Sequence, residues 1–204
     1  MRSRTQSAKY CAFSPDAESP DEIKRKIAEA KRLGAIVVNR QQVISGQLDT
    51  AILLWFLEID PISTCTLVSA AVTVLHHVGS KTGKSSHIYN KEMEKLLGKK
   101  LKMAPNFFKH ASKDPHEALI FAAGVNEFLL FDASNLYGKV YGSLTPLMRT
   151  FQAQFVVSHE RAGRVRREEA QVFLADSIVF EQISALSRGE FLKKILPLFI
   201  KADV

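Results

Sequence analysis

The chain reads as an all-α protein, an irregular bundle of about seven to nine helices folded as a single domain. Three observations lead there. Only 10 glycines and 7 prolines punctuate 204 residues, too few for a many-turned β fold. Apolar residues recur at three- and four-residue spacing over most of the length. Capping-box patterns mark helix starts at Ser19/Glu22, Asn39/Gln42 and Ser187/Glu190. No run alternates regularly enough for a sheet of any size, although 36–38 and 155–157 have the composition of short strands.

Residues 1–18 are polar and aperiodic and read as a flexible tail, so that 19–204 forms the helical domain. Ser19 caps a helix with Pro20 at its first position, and Gly34 supplies the left-handed residue that closes it. A helix over 40–58 carries Val43, Ile44, Leu48, Ala51, Ile52 and Trp55 on one face. Its last turns are apolar all round, so that end is expected to be buried on most sides. The Asp60-Pro61 pair stops it and opens the next helix. There Ile62, Leu67, Ala70, Ala71, Val74, Leu75 and Val78 form a stripe, and Ser69, Ala70 and Ala71 allow a neighbour close.

Residues 79–86 read as a loop, 87–97 as a short amphipathic helix, and 99–115 as a connection. Asp114-Pro115 starts a helix to about residue 130 whose buried face is Leu119, Ala122, Val125 and Leu129. Asp132 is placed to cap a further helix through Tyr141. Thr145-Pro146 opens another, with Leu147, Met148, Phe151 and Phe155 on one side. Helices over 168–186 and from Ser187 onward, the last with Phe191, Ile195, Leu198 and Phe199, complete the set.

Composition narrows the function classes. At 46% hydrophobic and 24% charged, the chain has the makeup of an ordinary globular core. Cys11 and Cys65 stand far apart, which implies neither a disulfide framework nor a cysteine zinc site and fits a reducing, cytoplasmic setting. The apolar run 51–57 is too short to span a bilayer, so no membrane span is expected. No cofactor is implied, and a homo-oligomer is compatible with the sequence.

Charge is concentrated. Between Gly79 and Lys113 lie nine lysines, no arginine and two acids, Glu92 and Glu94, so this stretch carries +7, the net charge of the whole chain. The remainder balances. A localised positive field attracts an acidic protein or RNA.

Several motifs have simpler roles open to them. Gly79-Ser-Lys-Thr-Gly-Lys-Ser85 has three residues between its glycines where a phosphate loop needs four, and it follows a helix, so a plain connection is the better reading. The histidines lack metal-site spacing, and His76 and His77 read as surface positions, so no metal is expected. Arg161, Arg164, Arg166 and Arg167 precede Glu168 and Glu169 and read as a solvated helix start with local ion pairs. Asn126 falls within an apolar helix face. A buried amide needs partners, so Asn126 either braces a neighbouring helix end or lines a small pocket.

The richest stretch is Asn106-Phe-Phe-Lys-His110. His110 has the chemistry of a general acid or base. Lys99, Lys100, Lys102, Lys109 and Lys113, with Asn106, are placed to hold an anion or nucleic acid. Phe107 and Phe108 either stack on a base or anchor the connection. With Ala111, Asp114-Pro115 and the Asp60-Pro61 corner, this stretch resembles the Asn-Phe-Phe-Lys-His-Ala…Asp-Pro motif of a group of bacterial all-helical proteins. That resemblance implies a fold and no activity. A looser similarity is to HEPN-type helical domains, some of them ribonucleases, whose motif places Arg, then Asn, a few residues before His. Asn106 and His110 keep that spacing, and Pro105 stands where the arginine belongs. This similarity implies RNA binding or metal-independent cleavage through His110, with Lys102 or Lys109 replacing the arginine.

Three functional expectations follow. The first is a non-enzymatic interaction or regulatory module meeting an acidic partner through the lysine-rich surface at 79–113. The second is an RNA-binding protein or ribonuclease of the HEPN kind. The third is a small-ligand-binding protein with a pocket at Asn126.

Overall fold

The computed structural model describes residues 19–84, 104–108, 116, 118–171 and 182–201. Its helices are α1 (Pro20–Arg32), α2 (Arg40–Phe56), α3 (Pro61–Lys81), α4 (Val125–Tyr141), α5 (Pro146–Arg161), α6 (Arg167–Gln171) and α7 (Arg188–Lys201). Short helical segments also occur at 104–108 and 182–184, and no strand occurs among the described residues. The all-α expectation holds. The expected tail at 1–18 and the expected helix at 87–97 lie outside the described residues. The chain divides into two compact units, Met1–Asn39 and Arg40–Val204.

In the first unit, the Ser19 hydroxyl accepts a 3.3 Å bond from the Glu22 N–H, so the first capping signal works as read. Asp21 and Glu22 sit in the first turn of α1 and Lys31 and Arg32 in the last, the order that suits the helix dipole. At the far end, Gly34 takes φ 69°. The Gly34 N–H donates to Lys31 O at 3.1 Å and the Ala35 N–H to Ala30 O at 2.9 Å, which is a Schellman closure. Residues 35–39 form no strand.

In the second unit α2 is the hub, touching α3, α4, α5 and α7. Ile44, Leu48, Ala51 and Ile52 are fully buried, and Trp55 and Phe56 nearly so. Val43 faces out instead, because the stripe is centred one residue further on. α3 lies against α2 and α4. Its seam is Cys65, Val68, Ala71, Val72 and Leu75, while Ile62 is half exposed. Contact with two neighbours at once rotates the buried face away from the stripe read in the sequence. By length and composition alone α3 is apolar enough to cross a membrane, with a mean hydropathy of 1.4. Val68, Ala71, Val72 and Leu75 of that seam belong to the core shared with α2 and α4.

Two boundaries differ from expectation. α3 runs on to Lys81, through the expected loop at Gly79, and closes where Gly83 takes φ 69° and the Lys84 N–H donates to Gly79 O at 2.9 Å. α4 is one continuous helix from Val125. The expected start at Asp114-Pro115 lies outside the described residues, while 118–122 is not helical and Ala122 is exposed. Asp132 starts no new helix: it is buried in mid-helix, because Leu129, Leu130, Ala133, Leu136 and Tyr137 continue the apolar stripe past it.

α5 begins as read, with Thr145 Oγ1 accepting from the Met148 N–H at 3.1 Å and donating to Asp49 Oδ1 at 2.6 Å. It is buried all round from Phe151 to Val157, so 155–157 is helix. At α7 the Ser187 hydroxyl accepts from the Glu190 N–H at 3.4 Å while the Glu190 carboxylate accepts from the Ser187 N–H at 2.9 Å, a complete capping box. Of the helix expected over 168–186, the described residues show helix only at 167–171 and 182–184.

Candidate functional site

The end of α2 and the starts of α3, α4 and α7 converge on a cleft of about 280 Å³. Its placement follows from the local sequence. α2 closes by a Schellman motif whose left-handed position is Glu58, at φ 55°, with Glu58 N–H to Trp55 O and Ile59 N–H to Leu54 O both at 3.2 Å. Asp60, also left-handed at φ 45°, then caps α3 by accepting from the Ser63 N–H at 2.9 Å. Two left-handed residues with side chains in one short corner are uncommon. They fold the chain back so that Glu58 stands on the cleft wall. The hydrogen bonds from Ser63 hold the Asp60 carboxyl below its ordinary value.

Asn126 also lines the cleft, near the start of α4. It is 2% exposed, and its Nδ2 donates to the Pro61 carbonyl at 2.8 Å. That bond orients the amide, since a carbonyl can only accept. The other amide atom, Oδ1, is buried and has no hydrogen-bond partner among the described residues. The two alternatives read for Asn126 therefore coincide: it braces the start of a neighbouring helix and it lines a cleft.

Charged and aromatic groups complete the wall. The Arg188 guanidinium lies over the Trp55 ring, 3.9 Å from its centroid, a cation–π arrangement. The Trp55 ring in turn packs edge-on to Phe151 at 4.9 Å and Phe56 at 5.1 Å, anchoring the cleft floor in the core. Arg188 faces Glu58 at 3.5 Å and Glu127 at 4.0 Å. Glu127 turns its other oxygen toward His159 Nε2 at 3.9 Å. His159 is buried, stacked on Phe155 at 3.9 Å, and its Nδ1 meets the Phe155 carbonyl at 2.9 Å, so Nδ1 carries the proton. A line of alternating charge thus runs from Glu127 on α4 through Arg188 to Glu58 at the end of α2.

The remaining sequence candidates are less concentrated. Lys99, Lys100, Lys102, Lys109, His110 and Lys113 lie outside the described residues. Asn106 is exposed on the helical segment at 104–108, where Phe107 and Phe108 are half-buried and Phe108 packs edge-on to Phe121 at 5.3 Å. That contact fits the anchoring role for Phe108. His77 is on the surface as read, whereas His76 is half-buried, because the rotated face of α3 carries it inward. Arg166 pairs with Glu169 in solvent, the local ion pair expected there, and the pairing raises the arginine and lowers the carboxyl. No group of three metal-binding side chains occurs among the described residues.

The reading from sequence missed Trp55 as an aromatic platform, along with Glu58, Glu127, Arg188 and His159. Each is unremarkable in its own neighbourhood, and only tertiary contact brings them together. The one local signal was Arg188 beside the Ser187 cap, which places a cation at a helix start where the dipole does not favour it. Compared with family models, with curated proteins and with solved structures, this chain matches none.

Proposed function

We propose that this protein is a non-enzymatic binding module for a small ligand, held in the cleft at Asn126. The observation that carries this reading is the Asn126 side chain, buried and fixed through Nδ2 to Pro61 O, with Oδ1 left without a partner beside an open cleft. Leaving such a buried acceptor unpaired costs about 1–3 kcal/mol, which a water or a ligand group reaching it from the cleft would offset. The platform of Trp55 and the charges of Arg188 and Glu127 supply shape and orientation, as small-molecule sites require. The test is a thermal-shift screen with small amines, guanidines, carboxylates and neutral amides. At least one class should raise the melting temperature, and the rise should disappear in Asn126→Leu and in Arg188→Ala, each checked for retained helicity. No shift with any class, or a shift unchanged in both variants, overturns the reading.

A second reading rests on charge alone. The stretch from Gly79 to Lys113 carries the entire net charge of the chain, which favours an acidic protein or RNA as partner. RNA binding through lysines falls steeply with salt, and binding absent even at low salt removes that reading. Cleavage of RNA lost in His110→Ala with the fold intact would extend it to the HEPN-like ribonuclease.

A further inference from the structure

We infer that the cleft selects a small organic cation, an amine or guanidine on an apolar stem. The inference rests on the binding reading above. Among the lining residues the charged groups are Glu58, Glu127 and Arg188, two carboxylates against one guanidinium, so the side-chain charge of the cleft is net negative. Asn126 adds an acceptor, Oδ1, that is buried and has no hydrogen-bond partner among the described residues. An incoming cation therefore meets the two carboxylates, with the apolar edges of Leu54 and Ile59 for its stem.

The geometry of Arg188 shows why a cation is preferred to an anion. Its guanidinium sits on Trp55 and faces Glu58 and Glu127 at 3.5 and 4.0 Å, distances that leave the pairs loose. An anion arriving at Arg188 must pass two carboxylates to reach one guanidinium, which weakens its attraction. A cation meets the opposite balance. It can also slide between Arg188 and either carboxylate, because neither pair is held by a close hydrogen bond. Arg188 itself already displays the recognised chemistry: a planar cation seated on an aromatic face between two carboxylates. The Glu58 side chain is 70% exposed and that of Glu127 21%, so a ligand reaches Glu58 first and Glu127 on seating.

Isothermal titration of the full chain with agmatine, with succinate as the anionic probe and butanamide as the neutral one, tests this. Agmatine should bind, succinate and butanamide should not, and affinity should fall about tenfold in Glu127→Gln and in Glu58→Gln. Glu58 lies on the surface, so its variant keeps the test open if Glu127→Gln fails to fold. Succinate binding that is lost in Arg188→Ala, with agmatine inert, overturns the cation preference while leaving a ligand cleft. Agmatine binding unchanged in both glutamine variants also overturns it, since the cation then sits elsewhere. No binding by any of the three, together with a blank thermal-shift screen, overturns the binding reading itself.

Discussion

Asn126 Nδ2 donates to the Pro61 carbonyl at 2.8 Å, tying the first turn of α4 to the first residue of α3. The bond does two things. It holds two helix starts side by side at the mouth of the cleft, and it prevents the amide from flipping to satisfy Oδ1 elsewhere. A polar residue on an apolar stripe thereby becomes a positioned acceptor.

Replacing Asn126 should separate these effects. Asn126→Leu removes the Nδ2 bond and the orphan acceptor together, so its cost should be modest, about 1 kcal/mol by urea unfolding. Asn126→Asp sets a carboxylate against the Pro61 carbonyl and should cost more at neutral pH. Its deficit should shrink on acidification, when a protonated carboxyl can donate to that carbonyl. A deficit independent of pH would show that the Pro61 contact is not made.

Glu58 occupies a position that Gly34, Gly83 and Gly163 fill at the other Schellman closures, with φ values of 69°, 69° and 66°. A side chain in the left-handed region costs about 1–2 kcal/mol. The exposed pair with Arg188 returns about 0.2–1 kcal/mol. Glu58→Gly should therefore be more stable than Glu58→Ala by about 1 kcal/mol, since both lose the pair and only glycine relieves the backbone. Equal stabilities would mean that the corner is not strained in solution.

Much of the fold was legible because its signals are local. Ser19, Asp60, Thr145 and Ser187 each cap the helix that their sequence context announces, and Gly34 ends the one that it follows. The reading failed where tertiary burial outweighed local signals. Asp132 has the chemistry of a cap, yet the stripe around it is buried without interruption, so the helix passes through. Gly79 looks like the start of a loop, yet a small residue inside a packed helix serves close approach just as well. The cleft was half legible. A buried amide on an apolar face announces Asn126, whereas nothing near Trp55 announces that Arg188, far along the chain, will lie over its ring.

Two carboxyls should respond to pH in opposite directions. Burial pushes the Asp49 carboxyl up, and the Thr145 hydroxyl bond opposes this only in part. A raised carboxyl stabilises the fold most below its ordinary value of 3.8 and loses that contribution as pH rises through the folded value. Asp60 is lowered by Ser63, so its contribution is present above 3.8 and lost as pH falls through the folded value. Asp49→Asn should therefore raise the melting temperature at pH 7 and have little effect at pH 3. Asp60→Asn, which keeps the cap without the charge, should flatten the loss of stability on the acid side. The same sign for both variants would contradict these environments.

Gly79 gives the sharpest test of what the Gly-Ser-Lys-Thr-Gly-Lys string does. A Cβ built there meets the Lys84 carbonyl oxygen at 2.8 Å, and that oxygen belongs to the backbone that closes α3. The Lys84 N–H also donates to Gly79 O at 2.9 Å, so the chain cannot move aside without breaking its own closing bond. Gly79→Ala should cost about 1–3 kcal/mol by overpacking. Gly83→Ala should cost about 1–2 kcal/mol through its left-handed φ of 69°. Both losses should appear in urea unfolding whether or not a nucleotide is added. Stabilisation by a nucleoside triphosphate that disappears in Gly79→Ala would instead return the string to the phosphate-binding class. The position of the string argues against that outcome: at the C-terminal end of α3 the free groups are carbonyls, which repel phosphate.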